Sequence, residues 1–256
     1  MKIEALPSPN FNDRKYPVDM LVLHYTGMQT GQAALDRMRD TAASVSAHYM
    51  LWEDGRVVQL VGEDKRAWHA GVSSWQGDED LNSRAIGIEI VNGGHDWPLA
   101  SGGLPPYPGA QIKALIELCS GILARWEIPA SRIVGHSDIA PLRKADPGEH
   151  FPWERLARAG IGLWPVSNSD HPAASPDANT TGLEAGDTGH SVGHLQTRLA
   201  EIGYGVPQSA QFDALTEAGV RAFQRRWVQA RVTGKADPIT LAKIDLVIDA
   251  YRQSAT

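Results

Sequence analysis

The sequence predicts an α/β domain followed by a small all-α domain of three helices. Short apolar runs with strand character alternate with segments of helical periodicity over residues 1–165. Three further segments of helical periodicity lie within residues 183–256. Between them, residues 166–182 are poor in large apolar side chains and rich in Pro, Ser, Asn and Asp. We therefore expect two domains joined by a linker over residues 166–182.

The strands of the first domain are predicted from its apolar runs. Residues 18–25 (VDMLVLHY) and 85–91 (AIGIEIV) are almost continuously apolar, as in strands that are covered on both faces. Residues 46–62 predict a hairpin that turns at residues 54–55, because Asp-Gly favours a tight turn. Residues 133–134 predict a last strand, which leads to a histidine. Strands mixed with helices indicate a layered α/β domain.

The helices are predicted from apolar residues that recur with the helical period. Before the linker this pattern occupies residues 32–40 and 111–126. After the linker it occupies residues 192–202, 216–227 and 240–251. A flexible linker of this length would span roughly 20 to 25 Å, so we expect the two domains to move independently.

Composition excludes several classes of function. A net charge of −6 and a pI near 5.8 give no overall attraction to nucleic acid or to anionic lipid. The single cysteine, Cys119, excludes an intramolecular disulfide, and its place on an apolar helix face predicts that it fills the core. No apolar stretch is long enough to span a bilayer, and the start lacks the apolar region of a secretory signal. We expect a monomer in the cytoplasm, or in the periplasm or cell envelope if a signal was removed or export is non-classical.

Two histidines and an aspartate are candidate metal ligands. His24 ends a predicted buried strand, His136 ends the last strand, and Asp146 follows ten residues later in a Pro/Gly-rich loop. Two imidazoles and a carboxylate on the rim of a sheet can fill three positions of a tetrahedral zinc site and leave the fourth for water. The sequence contains no HExxH or CxxC pattern, so a hydrogen-bonded structural role for each histidine is the alternative.

Five segments carry a resemblance to a known family. They are HYT at 24–26, SAHYML at 46–51, AWHAG at 67–71, LNSRAIGIEIVNGG at 81–94 and VGHSDIAPLRKADPG at 134–148. In this order they resemble the type 2 N-acetylmuramoyl-L-alanine amidases, which include anhydro-muropeptide amidases, phage lysozyme-type amidases and animal peptidoglycan recognition proteins. The resemblance covers about residues 15–165 and implies a mixed β-sheet flanked by helices.

The resemblance also implies roles for the site residues. It makes His24, His136 and Asp146 the ligands of one Zn²⁺ per chain, Glu89 the catalytic carboxylate and Lys144 a cation beside the site. Glu89 lies in an apolar strand, where burial would raise its pKa towards the range of a general base. The alternatives are a glutamate on the solvent face of an edge strand and a solvated lysine in a loop.

An aromatic loop and a nearby amide offer flat faces and hydrogen-bond donors that suit a sugar and a peptide stem. The candidate substrate contacts are Trp68, His69, Ala70, Gly71, Trp75 and Asn82. The tryptophans could equally belong to the core. Phage enzymes and recognition proteins carry a tyrosine near the metal where Ala47 stands here, which implies that Glu89 takes over its role. His48 is interpreted as a structural core histidine.

The second domain resembles the three-helix peptidoglycan-binding module that is attached to many wall hydrolases. Residues 186–240 contain GDTGHSVGHLQTRLAEIGY, FDALTEAGVRAFQRRW and DPIT, which carry this resemblance. Most of the matching residues are core or capping positions, so they identify the fold better than a ligand. His190 and His194 stand four apart on a helix, but the sequence offers no third metal ligand near them.

The predicted function is zinc-dependent hydrolysis of the amide bond between N-acetylmuramic acid, or its 1,6-anhydro form, and the L-alanine of the stem peptide. The partner is then peptidoglycan or its muropeptides. A non-catalytic recognition protein is the alternative, and a phage endolysin or a toxin would share the chemistry. The binding module favours intact polymer, whereas the missing signal favours released fragments. A chain that ends near residue 165 is expected to fold and to cleave small muropeptides.

Overall fold

The computed structural model describes residues 1–165 and 182–254 of the chain. The strands are β1 (Ile3–Ala5), β2 (Phe11–Asp13), β3 (Met20–Tyr25), β4 (Tyr49–Leu51), β5 (Val57–Gln59), β6 (Lys65–Ala67), β7 (Ala85–Ile90) and β8 (Ile133–Gly135). The helices are α1 (Gly31–Arg39), α2 (Leu81–Arg84), α3 (Gly109–Leu123), α4 (His136–Ile139), α5 (Trp153–Arg158), α6 (His190–Ile202), α7 (Ala214–Trp227) and α8 (Pro238–Ser254). The predicted linker, apart from Gly182, lies outside the described residues.

The main sheet of the first domain is mixed, as predicted. It has six strands in the order β1-β5-β4-β7-β3-β8, and β2 pairs with β6 separately. The hairpin strands β4 and β5 are antiparallel, whereas the other neighbours in the main sheet are parallel. The central strands β7 and β3 are therefore flanked on both sides by parallel partners, which explains their continuous apolar sequences.

The two faces of the sheet carry different cores. Leu21 and Leu23 of β3 pack in a core with Cys119 of α3, so the predicted core position of this cysteine is confirmed. Val22 packs in a second core on the other face. Because successive side chains of a strand point to opposite faces, His24 lies on the same face as Val22, away from α3.

The predicted helices are present, and three short strands were missed. The second domain consists of α6, α7 and α8, which confirms its three-helix prediction. The strands β1, β2 and β6 have three residues each. β1 and β2 are exposed and β6 is only partly buried, so no apolar run marks them in the sequence. In residues 1–165 and 182–254, none of the helices has the length and hydropathy needed to cross a bilayer.

The second domain packs directly against the sheet. One continuous apolar core contains Val22 and Trp75 of the first domain together with Leu199 of α6 and Phe223 of α7. Separating the domains would expose this surface to water, which is unfavourable. The expected independent movement of the domains is therefore wrong. For the same reason, we now expect that a chain ending near residue 165 is destabilised.

A buried ion pair fixes the contact between the domains. Oδ2 of Asp138, in α4, lies 2.9 Å from Nη1 of Arg226, in α7, and both side chains are 1% exposed. The same oxygen accepts a hydrogen bond of 2.8 Å from the backbone N–H of Gly135. Oδ1 accepts a hydrogen bond of 2.8 Å from the hydroxyl of Tyr204. Asp138 is thus satisfied largely by the second domain.

The guanidinium of Arg226 is held by several further groups. Its Nη2 donates a hydrogen bond of 2.9 Å to the carbonyl of Ile133 at the start of β8. Its Cζ lies 4.4 Å from the ring centres of both Trp153 and Trp227, one from each domain. A desolvated cation gains electrostatic energy from such aromatic faces. The second domain therefore supports both β8, which ends just before His136, and α4, which begins at it.

Replacing Arg226 with methionine should lower the free energy of unfolding by roughly 3–5 kcal/mol, because Asp138 would keep a buried charge without its partner. Urea denaturation of the whole chain measures this loss. The matched control is Gln229→Ala, which removes a different interdomain hydrogen bond, of 2.7 Å to the carbonyl of Phe151. That loss should be about 1 kcal/mol. Equal losses in the two variants would contradict the importance assigned to the ion pair.

Candidate active site

The pairing of two parallel strands brings His24 and Glu89 together. β3 and β7 pair in register, with His24 opposite Glu89. Side chains at paired positions of neighbouring strands leave the same face of a sheet. Both side chains therefore emerge on the face opposite α3, near the carboxyl ends of their strands.

His136 and Asp146 approach the same point from the next strand. His136 follows β8 directly, at the start of α4, and β8 pairs with β3. The carbonyl of Asp146 accepts a hydrogen bond of 2.8 Å from the backbone N–H of Ser137, which fixes the loop after α4. Nδ1 of His24 lies 2.9 Å from Nδ1 of His136, and Oδ2 of Asp146 lies 3.1 Å from each of these nitrogens.

This triangle of two nitrogens and one oxygen fits a tetrahedral metal site. Zinc–nitrogen distances of about 2.0–2.1 Å place two tetrahedral ligand atoms roughly 3.3 Å apart, close to the distances seen here. His24, His136 and Asp146 are all buried, and in the described part of the chain they form the one group of three such side chains that could hold a metal ion. His190 and His194 belong to no such group.

The outer nitrogens of both imidazoles have partners of their own. Nε2 of His136 lies 3.1 Å from the carbonyl of Ala70, which can only accept, so this nitrogen carries the proton and Nδ1 presents a lone pair. Nε2 of His24 lies 3.0 Å from Nδ1 of His69. Oδ1 of Asn82 accepts hydrogen bonds from the backbone N–H groups of His69 and Ala70. Ala70 and Asn82, which we expected to touch substrate, are buried behind the candidate ligands.

The protonation states also suit a metal ion. Burial raises the pKa of Asp146, but the adjacent His136 and His24 outweigh it and hold that pKa well below its usual range. Burial, followed by the proximity of His136, lowers the pKa of His24 to about 4. At neutral pH the site therefore presents an ionised carboxylate and a neutral imidazole, which are the forms that bind metal.

Glu89 is half-buried, and its carboxylate oxygen Oε2 is buried without a compensating partner among the described residues. Burial and then the charge of Asp146 raise the pKa of Glu89 well above its usual range, although Lys144 acts in the opposite direction. Among the described residues, Oε2 of Glu89 has no hydrogen-bond partner. An unpaired buried carboxylate oxygen is costly, and such groups concentrate at functional sites. Glu89 and Lys144 line the same cleft as His136 and Asp146.

A cleft of about 610 Å³ opens over these groups. Trp68 and His69 contribute to its lining, and their contact with substrate stays a prediction. Trp97 also lines the cleft and is 48% exposed. Sequence reasoning missed Trp97, for which the only signal is a tryptophan in the glycine-rich segment NGGHDW. The cleft thus offers aromatic faces beside the candidate metal ligands.

Two other predicted substrate contacts lie elsewhere. Trp75 has no exposed surface, and its ring packs edge-on against Tyr204 of the second domain, with ring centres 5.1 Å apart. A fully buried side chain cannot touch a soluble ligand, so the prediction that Trp75 binds substrate is wrong and its core alternative is correct. Gly71 lines a separate groove rather than the cleft.

His48 is a structural histidine, as expected. Its Nδ1 accepts a hydrogen bond of 2.9 Å from the backbone N–H of Gly87 in β7. Its Nε2 lies 2.7 Å from Nη2 of Arg14 and 3.0 Å from the carbonyl of Lys65. Burial, followed by the charge of Arg14, lowers the pKa of His48 to about 3. The neighbouring Ala47 is fully buried as well.

The chain matches two family models. Residues 14–149, more than half of the chain, match the model described as N-acetylmuramoyl-L-alanine amidase. The chain belongs to the N-acetylmuramoyl-L-alanine amidase family. Residues 188–244 match a peptidoglycan binding domain, so the amidase carries the second module that its sequence predicts.

Similar proteins cover both domains of the amidase. It is 35% identical over 248 residues to the N-acetylmuramoyl-L-alanine amidase AmiD of Escherichia coli strain K12, an alignment that covers 93% of this chain and 85% of AmiD. A solved complex of AmiD with the substrate anhydro-N-acetylmuramic acid-L-Ala-D-γ-Glu-L-Lys has a TM-score of 0.77 at 34% identity, over 92% of this chain and 90% of that chain. AmpDh3 of Pseudomonas aeruginosa, solved with anhydromuramic pentapeptide, has a TM-score of 0.78 at 33% identity, over 91% and 92% of the two chains.

The stability of the amidase should fall in acid partly because of His48. Its pKa is about 3 in the fold and 6.5 in a free side chain, so unfolding takes up a proton below pH 6.5. The free energy of unfolding should therefore decrease as the pH falls from 6.5 towards 3, by at most about 1.4 kcal/mol per pH unit for this one group. His48→Gln should show a shallower decrease, measured by urea denaturation across this range. Parallel curves for the two proteins would refute the assignment.

Proposed function

We propose that this amidase binds one Zn²⁺ through His24, His136 and Asp146 and uses Glu89 to hydrolyse the bond between the lactyl group of N-acetylmuramic acid and L-alanine. The observation that carries the proposal is the convergence of three donor atoms, separated by 2.9–3.1 Å, beside a carboxylate with one oxygen that no described residue contacts by a hydrogen bond. Bound zinc supplies Lewis acidity and lowers the pKa of water at the site.

Glu89 is the proposed general base and acid. Its carboxylate faces the same cleft as the candidate ligands and has an oxygen free to accept the proton of the attacking water. The same carboxyl group can then deliver that proton to the amine of the departing L-alanine. Its raised pKa favours this second step, because a carboxyl group with a higher pKa holds its proton near neutral pH.

Lys144 is the proposed electrostatic support. It lines the cleft, and its charge acts on both Glu89 and His24. A fixed cation in a partly desolvated cleft stabilises the negative charge that develops on the carbonyl oxygen during hydrolysis. His69 and Ala70 are proposed to hold the two ligand imidazoles in orientation, as groups behind metal ligands generally do.

The proposed substrate is a muropeptide, including the 1,6-anhydro form. The similar proteins AmiD and AmpDh3 have been solved with anhydro-muramic peptides. A cleft of about 610 Å³ falls within the range of pockets that enclose ligands of this size. Trp68 and Trp97 are the proposed aromatic contacts for the sugar. The cytoplasmic location, the monomeric state and the domain limits stay predictions.

A binding-only recognition protein is the competing function, and Glu89 argues against it. A protein that only holds peptidoglycan gains nothing from a carboxylate whose buried Oε2 has no partner among the described residues, because such a group costs stability. An amidase gains from the carboxylate of Glu89, because the reaction needs a group that accepts a proton from water and passes it to the departing amine.

Replacing any one of the three proposed ligands, by His24→Ala, His136→Ala or Asp146→Ala, should abolish hydrolysis and remove most of the bound zinc. Three protein ligands leave no spare donor. Metal analysis of the purified variants, beside an assay with anhydro-muramyl tripeptide, measures both effects. His190→Ala is the matched control, because this exposed histidine lies in the second domain. Full zinc content in all three variants would overturn the ligand assignment.

Glu89→Gln should retain zinc and the fold but lose about 10²- to 10⁴-fold in kcat, which is the usual contribution of a general acid–base group. Its zinc content and thermal unfolding, measured on the same preparation, serve as controls. Near-normal turnover by a zinc-loaded Glu89→Gln protein would show that the proton is accepted elsewhere.

A further inference from the structure

A second groove continues the active-site cleft across the domain boundary. It has a volume of about 360 Å³ and lies between the loop after α4 and one side of α7. Arg143, Lys144 and Ala145 line both this groove and the active-site cleft. The two spaces therefore share a wall next to the candidate ligand Asp146.

One stripe of α7 forms the other side of this groove. Ala214, Ala218, Arg221 and Arg225 recur at intervals of three or four residues, so they lie on one face of the helix. The short alanine side chains leave space between the helix and the loop. The two arginines lie further along the helix, and both are only partly exposed.

The groove is strongly basic in an acidic protein. Four of the residues that line it are cationic and one, Glu217, is anionic, although the whole chain has a net charge of −6. Arg221 pairs with Glu217 at 2.8 Å. Arg225 is less well satisfied: its Nε is buried, lies 3.9 Å from a carboxylate oxygen of Glu149, and has no hydrogen-bond partner among the described residues. Cations grouped in a concave surface attract anionic ligands.

The position of this groove is fixed before any ligand binds. Arg226, the residue that follows Arg225 in α7, forms the buried ion pair with Asp138 of α4. Arg143 is held by hydrogen bonds to the carbonyls of Ala70 and Val72. Both walls are thus anchored, and a ligand would not bear the cost of ordering them.

We infer that this groove binds carboxylates of the stem peptide beyond the scissile amide, with Arg221 and Arg225 of the second domain as contacts. The inference rests on the proposed function. The substrate solved with AmiD contains a γ-linked D-glutamate, whose α-carboxylate is therefore free. A stem that enters the active-site cleft beside Lys144 can continue past Arg143 into the basic groove. The peptidoglycan-binding domain would then contribute to the choice of substrate as well as to the stability of the fold.

The test compares two substrates that differ only in charge. One is anhydro-muramyl pentapeptide, and the other is the same molecule with its stem carboxylates converted to amides. For the charged substrate, Arg221→Gln and Arg225→Gln should each raise KM about two- to fivefold with kcat unchanged, which is the range for partly exposed charge pairs. For the amidated substrate, KM should not change. The effect on the charged substrate should shrink at high ionic strength.

Arg158→Gln is the matched control. Arg158 also pairs with a glutamate four residues earlier, but it lies in α5 and lines neither space. It should leave KM unchanged for both substrates. Equal KM values for the parent and both groove variants on the charged substrate, with normal turnover, would overturn the inference and leave the amidase function intact. Failure of the parent to cleave either substrate would instead refute the proposed function.

Discussion

The in-register pairing of three parallel strands is the constraint on which the site depends. β7, β3 and β8 are neighbours, and Glu89, His24 and His136 stand at or just beyond their carboxyl ends. A slip of one residue between β3 and β7 would turn His24 towards α3, because side chains alternate between faces. The register is held by the apolar residues of β3, which pack in different cores on the two faces. The packing that stabilises the sheet therefore also places the side chains of the candidate active site on one face and at one edge.

Much of this arrangement could be predicted from the sequence. Apolar runs marked the central strands, and the residues that follow them identified His24 and His136 because strand ends meet at one edge. Asp146 was already a candidate ligand from its residue type and its position after His136. Glu89 and Lys144 were assigned roles only through the family resemblance, because their spacing from the other site residues does not indicate that they lie close together. The role of Trp75 could not be assigned from the sequence, because a tryptophan gives the same signal whether it lines a cleft or packs against another domain.

The relation between the domains was beyond sequence reasoning for a physical reason. A polar, proline-rich segment indicates a linker, but it says nothing about the surfaces that the linker joins. The deciding groups were Asp138 and Arg226. In the sequence they look like ordinary surface charges of their helices, but they form an ion pair at the domain contact and both are 1% exposed. Ala70 and Asn82 were misassigned in the same way. The carbonyl of Ala70 contacts the imidazole of His136, and Asn82 holds the backbone of His69 and Ala70. These contacts arise from the fold of a loop and leave no pattern in the sequence.

The shared core has a consequence for the connectivity of the molecule. Because Val22, Leu199 and Phe223 belong to one apolar cluster, covalent continuity between residues 165 and 182 is not what keeps the two halves together. If a protease cut the chain in this interval, we expect the two pieces to stay associated through this core. For the same reason, two fragments that are produced separately should be able to assemble. The peptidoglycan-binding module therefore packs on the catalytic domain as one subunit of a dimer packs on another, although both belong to one chain.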